Sequence, residues 1–166
     1  MSEGVDADLI AEAERVIAAN RAIGRRIAVA ESCTGGLVSA ALTAIPGSSE
    51  VFEAGFVTYG NDAKRGALGV GGDILEMFGA VSVATAWAMA QGALLKSGAD
   101  IAVSITGIAG PDGGTPQKPV GTVVFAKALK NQPMDEHLAD TRQFGDLGRG
   151  EIRRQAALCA LSLLLP

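Results

Sequence analysis

Apolar positions recur along the chain with two different periods. Asp6 or Asp8 opens a helix running to about Ile23, with Leu9, Ala13, Val16 and Ile17 on one face and Gly24 as its stop. The basic pair Arg25-Arg26 leads into a short strand-like run containing Ile27 and Val29. That run breaks at Glu31, Ser32 and Cys33, then passes through Thr34, Gly35 and Gly36 into the apolar segment Leu37 to Ile45. The pattern is a buried strand, a tight polar turn and the start of a helix, closed by Pro46-Gly47-Ser48-Ser49. From Val51 to Tyr59 the period is two, with Phe52, Ala54, Phe56 and Thr58 set against Glu53, Gly55, Val57 and Tyr59. A Gly60-Asn61 turn then precedes a short helix carrying Lys64, and Gly69 to Gly72 separates it from another over Asp73 to Phe78.

Ser82 caps a long helix to Ser97 whose expected buried stripe is Val83, Trp87, Ala90 and Leu94. Ile101 to Ile105 is apolar except for Ser104, as a central strand would be. Thr106 to Pro119 is too rich in Gly and Pro to be other than a long loop, and such loops usually carry function. Val120 to Leu129 and Glu136 to Phe144 read as antiparallel neighbours, with His137, Ala139 and Thr141 on one face and His137 toward solvent. A last helix, Arg149 to Leu164, is expected to bury Ile152, Ala156, Cys159 and Leu163 and to leave Arg153 and Arg154 solvated. Strands alternating with helices give an α/β class.

Composition narrows the function classes. At 166 residues the chain is read as a single domain over 1–166 with room for a sizeable core. Apolar residues at 48% exclude a disordered chain, and only 4% aromatics puts the packing on Ala, Val, Leu and Ile. A net charge of −4 without a basic stripe argues against nucleic acid as a partner. The acidic N-terminus lacks a signal-peptide core, and no apolar run approaches the ~20 residues that span a bilayer, so a cytoplasmic protein with no membrane partner is expected. Cys33 and Cys159 show no ligand spacing, and a lone histidine leaves neither a His-based zinc site nor a Ser-His-Asp triad to build; no metal is expected.

Three polar turns follow apolar strands: Glu31-Ser32-Cys33-Thr34, Tyr59-Gly60-Asn61 with Lys64, and Thr106 with its glycine loop. If their strands are parallel, all three lie at one sheet edge and can meet over a pocket. Ser32 is then a candidate nucleophile, although Ser32 or Thr34 as a simple helix cap is the plainer alternative. Without a usable histidine, a neutral lysine or a tyrosinate is the economical activator, and Lys64 and Tyr59 are at hand. Each taken singly reads as well as a solvated lysine or a ring capping the core. The loop GIAGPDGGT can offer N–H groups to phosphate, but it has neither the Walker A ending nor the dinucleotide spacing.

The ordered set ESCTGG (Glu31–Gly36), VTYGNDAK (Val57–Lys64), LGV (Leu68–Val70), GAVS (Gly79–Ser82) and TGIAGPDGGTPQKPVGTV (Thr106–Val123) resembles the C-terminal domain of the competence/damage-inducible protein CinA, a family that includes stand-alone amidases. The resemblance covers nearly the whole chain. It implies a three-layer α/β/α sandwich with a mixed central sheet. It also implies hydrolysis of nicotinamide mononucleotide to nicotinic acid mononucleotide and ammonia, without a cofactor, in pyridine-nucleotide salvage. On that resemblance Ser32 is the nucleophile, Lys64 the base and Tyr59 a third catalytic residue, with Thr106 and Arg149 in the pocket. Glu31, Cys33, Thr34, Gly35, Gly36, Asn61, Gly107 and Gly110 complete the expected substrate-binding set. Relatives usually read Gly-Asp-Arg where this chain has Leu147-Gly148-Arg149. Longer members carry a further N-terminal domain resembling molybdopterin-binding proteins, whose activity is not expected here. A homodimer or higher homo-oligomer is the expected assembly. The competing reading is a catalytically silent nucleotide- or partner-binding domain acting in competence or DNA-damage responses.

Overall fold

Large and small residues alternate along the inner strands, and that alternation decides which helices cover which face. The structure is a computed structural model that describes residues 4–133 and 138–166. Its strands are β1 (Ile27–Glu31), β2 (Phe52–Val57), β3 (Ile101–Gly107), β4 (Thr122–Leu129) and β5 (Leu138–Gln143), in the sheet order β2-β1-β3-β4-β5. β1 runs parallel to β2 and β3, while β4 is antiparallel to β3 and β5. The sheet is therefore mixed, with its fully buried strands β1 and β3 side by side.

On one face stand Ile27, Val29, Ile101, Val103, Ile105, Val123 and Phe125. They pack against α1 (Ala7–Ala22), α2 (Leu37–Thr43) and α6 (Arg149–Leu163). Successive strand residues point to opposite sides, so the other face carries Ala28, Ala30, Ala102, Val124, Ala126 and Ala128. Over it lie α3 (Asn61–Leu68), α4 (Gly72–Phe78) and α5 (Val83–Ser97), completing three layers. Alanines on the sheet meet Ala86, Ala90 and Ala93 on α5, so this helix sits close. Ser104 Oγ reaches it and donates to the Ala86 carbonyl at 2.6 Å. On its far side α5 presents Gly92 to the end of α3, where an added Cβ would stand 2.0 Å from the Leu68 carbonyl oxygen.

Several boundaries differ from the sequence expectation. The buried residues of α5 are Thr85, Ala86, Met89, Ala90, Gly92, Ala93 and Leu94, so Ala90 and Leu94 lie where expected, whereas Trp87 is half-buried and Val83 is 44% exposed. An alanine-rich helix fits several stripes equally well, and the close alanine face of the sheet selects among them. Thr106 and Gly107 belong to β3 rather than to the loop, because both pair with β4. On α6 the deep positions are Ile152, Ala156, Ala157, Ala160 and Leu161, with Cys159 and Leu163 only half-buried. Both cysteines are free. His137 lies outside the described residues, so its expected exposure has no structural counterpart. Among the described residues no helix is long and apolar enough to cross a membrane.

Candidate active site

The carboxyl ends of β1, β2 and β3 fall at one edge because the three strands are parallel. The chain after each is held against its neighbour: Ser32 N–H donates to the Ile105 carbonyl at 2.9 Å, and Thr58 N–H to the Glu31 carbonyl at 2.9 Å. The turn after β1 closes when Gly35 N–H donates to the Ser32 carbonyl at 3.0 Å. Gly36 then enters α2 at φ +103, a conformation that a side chain would resist. Ser32 is thus fixed at the point where strand gives way to helix.

Glu31 turns its carboxylate to the start of α2. Its carboxylate is fully buried and accepts from Thr34 Oγ1 (2.7 Å), Val38 N–H (3.0 Å), Ser39 N–H (3.0 Å) and Ser39 Oγ (2.7 Å). It serves as the missing cap of α2, whose flanking Gly36 has no side chain to offer. Its expected place is among the substrate-binding residues, but its carboxylate does not line the cleft beside Ser32. The Thr34 hydroxyl is spent on the same carboxylate.

Lys64 comes off α3 and points inward. Only 1% of it is exposed, and none of the ion pairs among the described residues includes it. Its Nζ lies 3.1 Å from Ser32 Oγ, 3.0 Å from the Thr58 carbonyl and 3.0 Å from the Tyr59 carbonyl. Burial lowers its pKa, since the charged form loses water without gaining a carboxylate. Cys33 acts in the opposite direction only as a thiolate. Burial pushes that thiol up to about 11, so near neutrality it carries no charge. Desolvation therefore governs Lys64 at working pH.

The three neighbours of Nζ suit both protonation states. A neutral amine has two N–H donors for the two carbonyls and one lone pair for the serine O–H. An ammonium has three donors for the same three oxygens. A proton can pass from Oγ to Nζ without any heavy atom moving.

Tyr59 contributes in two ways. Its carbonyl holds Lys64, while its ring is 58% exposed and its hydroxyl accepts from Arg149 Nη2 at 2.8 Å. The phenol thus bonds Arg149 rather than Ser32. Arg149, the first residue of α6, also donates through Nη1 to the Gly110 carbonyl at 2.6 Å. Thr106 Oγ1 donates to the Ala80 carbonyl at 2.7 Å, tying β3 to the loop before α5. Ser32, Cys33, Tyr59, Lys64, Thr106, Gly107 and Arg149 line one cleft of about 180 Å³, together with Ala80, Val81 and Ala109. Thr34, Gly35, Gly36, Asn61 and Gly110 support or flank this cleft and do not line it.

A larger hollow, about 470 Å³, lies between the end of α5 and the turn after β4. No nucleophile paired with a base lines it, so size does not locate the chemistry. Among the described residues no cluster of three metal-ligating side chains occurs. One contact was invisible in the sequence pattern. Arg153, read there as solvated, reaches across to the Ser32 turn and donates to the Cys33 and Thr34 carbonyls, both at 3.1 Å.

The fold recurs in solved structures. A competence/damage-inducible protein from Agrobacterium tumefaciens superposes with a TM-score of 0.91 at 49% identity, covering 96% of this chain and 95% of that one. A CinA superfamily protein from Escherichia coli gives 0.87 at 34% identity, covering 96% and 91%. Among curated relatives, a CinA-like protein of Anaeromyxobacter sp. is 50% identical over 91% of this chain and 36% of its own length. The nicotinamide-nucleotide amidohydrolase PncC of Enterobacter agglomerans is 50% identical over 89% of this chain and 88% of its own. The chain spans only 35–38% of the length of the first three curated relatives, but most of the Enterobacter protein. The CinA C-terminal domain model matches residues 10–166, and the chain belongs to that family.

Proposed function

We propose that the protein hydrolyses nicotinamide mononucleotide to nicotinic acid mononucleotide and ammonia, by a serine/lysine mechanism, in pyridine-nucleotide salvage. The observation that carries this reading is a buried lysine with no counter-charge, 3.1 Å from a serine oxygen at a strand-helix turn. Burying an ammonium there would cost several kcal/mol, which the neutral, basic form avoids. The Enterobacter relative's name supplies the substrate class.

Neutral Lys64 takes the Ser32 proton as Oγ attacks the amide carbon. The oxygen that becomes negative is met by the N–H groups of Cys33 and Thr34, which donate to no backbone carbonyl among the described residues. The Gly35 N–H is occupied within the turn and is not a third donor. Lys64 returns its proton to the departing nitrogen, which leaves as ammonia, and an ester on Ser32 remains. Water then gives a proton to Lys64 and attacks the ester carbon. Lys64 passes that proton back to Oγ as the acid is released.

The cleft, at about 180 Å³, is below the ~300–1,000 Å³ of sites that enclose a whole small molecule. It suits the amide-bearing ring and leaves the phosphate at the mouth. Arg149 stands at the cleft wall with the first turn of α6 behind it, and both favour an anion. The test is ammonia release from nicotinamide mononucleotide by the wild type, with Ser32→Ala and free nicotinamide as controls. Turnover that needs Ser32 and the nucleotide supports the reading. Binding of the nucleotide without turnover supports the silent binding domain instead.

A further inference from the structure

We infer that Arg153 is a positioning residue for the oxyanion-binding Ser32 turn, holding the Cys33–Thr34 peptide directly and the Thr34–Gly35 peptide, whose N–H in turn holds the Ser32 carbonyl, an inference that rests on the serine mechanism proposed above. Its Nε–H donates to the Cys33 carbonyl and its Nη2 to the Thr34 carbonyl, each at 3.1 Å, across 120 and 119 residues of sequence. The two hydrogen bonds diverge from one planar guanidinium, which a flexible single donor cannot reproduce.

What this does follows from peptide geometry. The peptides here are trans, the one cis bond among the described residues being Gly110-Pro111. In a trans peptide the C=O and the N–H on its two sides point in opposite directions. Anchoring the Cys33 carbonyl therefore aims the Thr34 N–H. The preceding peptide is anchored likewise, because the Ser32 carbonyl accepts from Gly35 N–H and this aims the Cys33 N–H. Each of these two donors thus sits on a peptide whose oxygen is already held. Gly35 lets the guanidinium in, for a Cβ there would lie 3.2 Å from Arg153 Nη2. A cation on a carbonyl oxygen also polarises its peptide and strengthens the donor at the other end.

The neighbouring arginine serves a different purpose. Arg154 turns outward to Asp6, Asp8 and Glu151, tying α6 to the start of α1. The pair expected to be equally solvated is divided between turn and surface.

Arg153→Met, Arg153→Lys and Arg154→Gln are compared with the wild type. Oxyanion donors act mainly in the transition state, so Arg153→Met should lower kcat by ~10- to 100-fold and leave KM within about threefold. The pH midpoint of kcat/KM should stay in place, since Lys64 is untouched. Arg153→Lys should recover part of the loss, and Arg154→Gln should turn over normally. Amide NMR supplies a readout independent of substrate. In Arg153→Met the Cys33, Thr34 and Gly35 resonances should shift and broaden, with the rest of the sheet unchanged. A kcat within twofold of wild type, or unmoved Cys33 and Thr34 amides, overturns the assignment. So does a joint change of kcat, KM, pH midpoint and Tm, which marks a merely structural arginine. If the wild type itself releases no ammonia, the proposed reaction fails, while the amide spectrum still decides whether Arg153 holds the turn.

Discussion

Arg149 and Tyr59, 90 residues apart in sequence, meet at the wall of the cleft, where the guanidinium donates to the phenol oxygen at 2.8 Å. The same guanidinium holds the Gly110 carbonyl, so one side chain links the turn after β2, the glycine loop and α6. Its charge has no carboxylate partner among the described residues, which leaves it available to an incoming phosphate. Arg149→Ala should lower kcat/KM for nicotinamide mononucleotide by ~10- to 100-fold, the loss expected for hydrogen bonds to a charged group. Nicotinamide riboside, which lacks the phosphate, should be the poorer substrate for the wild type, and the same variant should scarcely alter its turnover. Steady-state kinetics on both substrates makes the comparison. Equal losses for the two would assign Arg149 to the frame of the cleft rather than to the phosphate.

Adjacent candidates for the nucleophile, Ser32 and Cys33, are separated by protonation. With the thiol pushed up to about 11, only about one Cys33 in ten thousand is a thiolate at pH 7. Ser32→Ala should therefore fold normally and lose ~10³-fold or more in kcat. Cys33→Ala should keep most of the proposed activity, and iodoacetamide at neutral pH should leave ammonia release unchanged. Alkylation of Cys33 that tracks inactivation would reverse the assignment.

The close approach of α5 gives a test of the fold that does not touch the chemistry. Gly92→Ala would put a methyl group 2.0 Å from the Leu68 carbonyl oxygen, and a backbone atom cannot swing aside as a side chain can. Overpacking of this kind costs ~1–3 kcal/mol. Urea unfolding should register that loss as a lower midpoint with an unchanged slope. A neutral result would mean that α3 and α5 lie farther apart than described.

These effects differ in how far they can be read from the chain alone. The strand-turn-helix at Ser32 is legible because a period change, a polar break and two glycines coincide within ten residues. The meeting of Ser32 with Lys64 follows once β1 and β2 are parallel, since both turns then share an edge. The surroundings of Glu31 are not legible because a carboxylate beside a candidate nucleophile resembles a ligand contact, and only the geometry shows one donor on the turn and three on α2 around it. Arg153 is hidden for a different reason. Its contacts lie some 120 residues away, and a basic pair on an amphipathic helix looks solvated wherever no partner is visible. The stripe of α5 was ambiguous because alanine marks no face.

The most direct measurement is kcat/KM against pH for the wild type beside Lys64→Arg. Burial depresses the Lys64 pKa below its ordinary 10.5, and in the proposed mechanism the active form is the deprotonated one. Activity should therefore rise with pH, one decade per unit, and level off through an ionisation below 10.5. Lys64→Arg keeps the charge but cannot lose its proton, so it should be nearly inactive at every pH where the fold persists. Lys64→Ala should be as inactive. A Lys64→Arg enzyme retaining most of its activity, with the same rise in pH, would contradict lysine as the base and leave it a fixed cation beside Ser32.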